Sequence, residues 1–194
     1  ALYVNIYHVF DGDKKLAAEV SALGGMLAVL GAYLGVRFAT MISAKTGKRE
    51  TMIGGLTLAL LSVFSMIFTM QPGFEVTEFF GFKFHPQALS FFFYGMGQQS
   101  CWLLIDSMTA DICDEDELRT GLRREGMFGA VKSLALKSGV AITGLTGGIV
   151  IKLAGAGDAA QGVPPDVAST LKTLFIVIQS LGLVDGITIF IFYP

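Results

Sequence analysis

The chain has 194 residues, 53% of them hydrophobic and only 15% charged, with a net charge of −2 and a mean hydropathy of +0.62. Soluble domains carry about 25% charged residues, so the composition excludes an ordinary soluble globule and indicates an all-α membrane protein. The balance of charge gives no footprint for nucleic acid, and two cysteines, Cys101 and Cys113, suggest neither a disulfide framework nor a metal site.

The first apolar stretch, about 1–10 (ALYVNIYHVF), reaches about 15 Å as a helix, half of a ~30 Å hydrocarbon core. It reads as the closing part of a span. Five full-length apolar runs follow, at about 17–42, 52–70, 87–111, 126–153 and 171–193. The prolines, Pro72, Pro86, Pro164, Pro165 and Pro194, all fall outside these runs, as expected of a residue that removes a helix donor. Gly31 and Gly35, Gly144 and Gly148, and Gly182 and Gly186 each stand four residues apart, a spacing that lets helix backbones approach.

Lysine and arginine are distributed unevenly. The connectors 43–51 and 112–125 hold Lys45, Lys48, Arg49, Arg119, Arg123 and Arg124, whereas 11–16 and 71–86 hold Lys14, Lys15 and Lys83. The positive-inside rule places 43–51 and 112–125 in the cytoplasm, with the acidic 154–170 connector (Asp158, Asp166) opposite. Six crossings result.

Ionisable residues within the runs are functional candidates, because each is costly in hydrocarbon. Measured from the cytoplasmic helix ends, Asp106 lies about 7–8 Å deep, Lys132 about 9 Å and Asp185 about 12 Å. Groups of opposite sign on three helices share one level, and an intramembrane ion pair of Lys132 with Asp106 or Asp185 is expected. Lys137 lies about 16 Å deep, near the midplane, on a face with Ala141, Gly144 and Gly148. No acid stands at its level, so it is expected to serve a central cavity. Asn5, and Trp102 one turn before Asp106, are weaker candidates for the same cavity, and His8 and His85 read as interfacial.

The stretch joining two of the runs, ADICDEDELRTGLRREGMFGAVKSLALKSG (110–139), carries nine of the chain's thirty charges between Asp111 and Glu125. In Ala110, Asp111, Asp114, Glu117, Thr120, Gly121, Arg123, Arg124, Glu125 and Gly126 it resembles the glycoside–pentoside–hexuronide:cation symporters, the melibiose-carrier branch of the major facilitator superfamily. The resemblance implies the carboxy-terminal six-helix half of a twelve-helix bundle, the first helix partial and the amino-terminal half absent. Lys137, followed by Ser138 and Gly139, matches the family's cavity lysine on its eleventh helix, with Lys132 and Ser133 near the sugar-facing wall. Lys132 stands where the melibiose carrier has an uncharged amide, which suggests an acidic substrate such as a hexuronide unless an ion pair neutralises it.

The resemblance further implies symport of a sugar or glycoside with Na⁺ or H⁺, no other cofactor, and a bacterial inner membrane as the location. The coupling acids would belong to the amino-terminal half, the chain's expected partner along with the bilayer. A carrier of lysolipid or another amphiphile on the same fold, and a non-transporting scaffold or sensor subunit, are the alternatives. An enzyme is disfavoured, since no nucleophile–base pair, metal spacing or nucleotide-binding glycine loop occurs. A cytoplasmic latch is expected in which Arg123 or Arg124, beside Glu125, pairs with Asp111, Asp114 or Glu117.

Overall fold

The computed structural model describes residues 2–79, 81–153 and 165–193. Asp158 lies outside them. Helix α1 begins as a single turn, Leu2–Val4, and continues as a wider π turn over Asn5–Val9, closed by the Phe10 amide donating to the Asn5 carbonyl at 3.0 Å. The other helices are α2 (Lys14–Thr46), α3 (Lys48–Thr69), α4 (Gln87–Thr120), α5 (Glu125–Leu153) and α6 (Pro165–Phe192). Among the described residues three stretches, Lys14–Thr46, Lys48–Thr69 and Val167–Phe192, are long and apolar enough to cross a membrane. α4 and α5 also have the length; Gln98, Gln99 and Asp106 interrupt the apolar run of α4, and Lys132 and Lys137 lie within that of α5.

Local chemistry sets the boundaries. Asp13 caps α2, its carboxylate accepting from the Lys15 and Leu16 amides at 3.0 Å each. Gly47, at φ +93°, is the whole break between α2 and α3. The expected connector 43–51 is therefore mostly helix. The same holds for 112–125: α4 continues nine residues past the expected end at Asp111 and stops only at Gly121 (φ +68°), whose amide donates to the Glu117 carbonyl. Glu115, Glu117, Leu118 and the Arg119–Glu115 pair one turn apart favour helix. Glycine, alone comfortable in the left-handed conformation, ends it.

An element not expected from the sequence fills the connector between α3 and α4. β1 (Thr77–Phe79) and β2 (Phe82–Phe84) form an antiparallel hairpin, with Gly81 at φ +77° in its turn. Lys83 of the hairpin pairs with Glu19 of α2 at 2.9 Å, and that hydrogen bond pushes the lysine pKa up. His85, expected at the interface, is instead fully buried, its ring meeting Phe10 and Phe74 edge-on. Burial lowers its pKa.

The bundle centres on α3 and α4. Met52, Leu56, Ala59, Val63 and Met66 of α3 form the core with Cys101, Leu104 and Met108 of α4 and Ile176 and Leu183 of α6. α2 packs along α4 so closely that a Cβ on Gly31 or Gly35 would lie 2.0 Å from the Phe92 carbonyl oxygen or 2.2 Å from that of Met96. Polar ties reinforce these contacts: Ser100 donates to the Gly35 carbonyl at 3.0 Å, and Ser65 to Ser90 at 2.8 Å. The other two glycine pairs behave differently. Gly186 meets only the Leu56 side chain, whereas Gly144, Gly148 and Gly182 face open space. Their spacing permits contact, but no described helix takes it up.

Candidate functional site

The charged end of the bundle is assembled from α3, α4, α6 and the α4–α5 turn. Cys101, Leu104 and Met108 form the stripe of α4 that faces α3, and Asp111 continues that stripe toward the start of α3. There Lys48 grips it, with Nζ donating to both carboxylate oxygens at 2.6 and 2.7 Å. The adjacent Arg49 reaches the other way. Its guanidinium donates to the Phe190 carbonyl at 2.9 Å and to that of Ile191, satisfying acceptors left open at the end of α6.

The latch differs in its partners from the expectation. Arg124 makes a two-pronged contact with Asp116, at 2.9 and 2.5 Å, and Arg123 pairs with Glu125 at 2.7 Å. Neither arginine forms a salt bridge with Asp111, Asp114 or Glu117. The cause is the length of α4: the helix carries Asp111 toward α3, and the reversal at Gly121 folds Arg124 back over Asp116. Asp114 and Glu117 still act at longer range. The Arg123 pKa is raised first by its bond to Glu125, then by the charges of Glu117 and Asp114.

Further along the helices, Lys132 of α5 and Asp106 of α4 form an ion pair. Trp102, one turn before Asp106, is 41% exposed on the same side of α4. Asp185 does not join them: it is exposed on α6 and forms no salt bridge among the described residues. A common depth fixes a position along the helix axis but not around it. Ser133 and Lys137 are one turn apart on α5, and neither has a described partner. Between 126 and 149 only Phe128 and Lys132 are even half-buried, so nearly the whole circumference of α5 is uncovered. Asn5 lies elsewhere. It is fully buried, with Nδ2 donating to Ser21 of α2 at 2.8 Å, and joins helices rather than opening to a cavity.

Residues 5–194 match the family described as MFS/sugar transport protein. The chain belongs to that family. An uncharacterized symporter of Synechocystis sp. is 34% identical over 107 residues, which is 53% of this chain and 20% of the relative. The matched part is thus a fifth of that protein's length. No solved structure matches. Membership of an MFS/sugar transport family, with three helices long and apolar enough to cross a membrane, makes the chain an integral membrane protein.

Sequence reasoning passed over Lys48 and Arg49 as pairing residues, counting them only toward the charge bias. It also passed over Asp116. The apolar stripe Cys101–Leu104–Met108 carried a usable signal, because extending it by three residues arrives at Asp111 and demands a cation on the neighbouring helix. Nothing local marked Asp116.

Proposed function

We propose that this MFS/sugar transport chain is the carboxy-terminal six-helix half of a secondary active symporter. It carries a sugar or glycoside, coupled to Na⁺ or H⁺, by rocking against an amino-terminal half around a central cavity. The observation that supports this most directly is α5. A transporter-family helix bears Lys137, Ser133, Ala141 and Gly144 on one face, and no described helix covers that face. A lysine near the midplane needs water, ligand or an acid of another element beside it. The amino-terminal half and the solute supply these.

In this reading Lys137 sets the electrostatics of the cavity, Trp102 and Ser133 offer stacking and hydrogen bonding, and the Asp106–Lys132 pair stiffens the wall. Because that pair neutralises Lys132, an uncharged glycoside suits the site better than a hexuronide. Lys48 with Asp111, Arg124 with Asp116 and Arg123 with Glu125 form the cytoplasmic latch, Asp114 and Glu117 acting on Arg123 at longer range, and 43–51 and 112–125 face the cytoplasm of a bacterial inner membrane. Binding of cation and solute is mutually favourable, since linkage is reciprocal.

The test is Lys137→Val in the full-length carrier. Cation-coupled sugar uptake is expected to be abolished while membrane insertion stays intact. Undiminished coupled uptake refutes the reading. Competition of lysolipids against sugars for uptake separates the two classes of cargo.

A further inference from the structure

A second site lies away from α5. One face of α6, running through Ser169, Lys172, Thr173, Ile176, Val177 and Ser180 at helical spacing, borders a cavity of about 490 Å³ shared with α1 and α3. The cavity is two-sided. Lys172, His8 and Gln71 line it toward the hairpin end of the bundle, whereas Phe64, Val177 and Leu181 form its apolar remainder.

Lys172 is the unusual member. It is only 7% exposed and forms no salt bridge among the described residues. Its ammonium donates to the Ile67 carbonyl near the end of α3 at 3.1 Å. That oxygen also accepts from the Gln71 amide at 2.8 Å, so the helix end is satisfied without the lysine. Two of the ammonium's three donors have no described acceptor. Nearby, the buried His8 Nε2 has no described partner either. A buried cation left uncompensated is expensive, and an anion in the cavity removes that cost.

The apolar walls indicate what carries the anion. A free anion would leave Phe64, Val177 and Leu181 facing nothing suited to them. An amphiphile fills both parts, with its charged head at Lys172 and a chain along the walls. Leu181 is 64% exposed and Phe68, next to the lining Ile67 on α3, 72%, so apolar side chains face outward at its border. We infer that the α1–α3–α6 cavity is a binding site for a membrane lipid with an anionic phosphate headgroup, held by Lys172 and His8. None of Asp106, Lys132 and Lys137 lines it, so the inference stands apart from the transport reading.

The experiment measures lipid retained by the detergent-purified full chain, by native mass spectrometry. Phosphatidylglycerol is the probe, with diolein as the headless control and inorganic phosphate as a competitor. Wild type is expected to hold phosphatidylglycerol about tenfold or more tighter than Lys172→Met, the worth of one charge-assisted hydrogen bond. Lys172→Arg should retain it. Val177→Trp, which fills the cavity and leaves the lysine in place, should lose it, and diolein should bind weakly. Equal retention by wild type, Lys172→Met and Val177→Trp overturns the site. Displacement of the lipid by inorganic phosphate overturns the lipid as its occupant.

Discussion

An ionised side chain at a helix centre costs about 2.5–3.5 kcal/mol on insertion scales. Asp106 and Lys132 avoid much of that by meeting. Removing one partner leaves the other charged and alone, so Lys132→Met should destabilise the protein by up to about 3 kcal/mol. The double variant Lys132→Met/Asp106→Asn should recover most of the loss, because no charge is stranded. Thermal unfolding in detergent reads both, and a double variant as unstable as the single one contradicts the pairing. The pairs of the latch are of another kind. Lys48–Asp111, Arg119–Glu115 and Arg123–Glu125 lie at helix ends and in the α4–α5 turn, at the margin of the apolar runs or outside them, where ion pairs contribute only about 0–1 kcal/mol each. Arg124–Asp116, the best shielded of the group, is the one that ties the α4–α5 turn to its helix.

At the scale of elements, close approach explains why α2 and α4 cannot tolerate side chains where their backbones meet. Gly35→Leu puts carbon atoms onto the Met96 carbonyl, and the two helices must separate. A loss of about 1–3 kcal/mol or more is expected from such overpacking. Gly25→Leu on the same helix, where nothing lies within 4 Å, should not destabilise and should gain about 0.5–1 kcal/mol from leucine's better helix propensity. Equal melting shifts for the two variants would argue against the interface. The extension of α4 to Thr120 has a consequence of the same order. It moves Asp114, Asp116 and Glu117 from a loop onto defined helix faces, so their partners are fixed by the helical repeat and not by proximity in sequence.

The whole molecule is a packed group of α1–α4 and α6, with α5 attached mainly along the Asp106–Lys132 line. Its stability should respond to acid through His85. Burial lowers the His85 pKa from 6.5, so the unfolded chain binds the extra proton more readily than the folded one. That contribution is complete above the unfolded value and is lost as the pH falls through the folded one. His85→Phe, which keeps the ring contacts with Phe10 and Phe74, should flatten the fall in melting temperature between about pH 7 and about pH 5. An unchanged acid slope would remove His85 from the account. Much of this architecture was legible in the residues. Long apolar runs, prolines outside them and the 110–139 stretch indicated the helices and the family, because hydropathy and helix-breaking act locally. The hairpin at 77–84 was not legible, being three residues per strand and dependent on α2 for its Lys83–Glu19 anchor. The azimuth of each helix was also hidden. Depth along an axis follows from counting residues, which placed Asp106, Lys132 and Asp185 at one level. Which of them touch depends on how helices rotate and pack against one another. Only the tertiary structure decided that Asp106 takes Lys132, that Asp185 stands apart, and that Asp111 and Asp116 are held by Lys48 and Arg124.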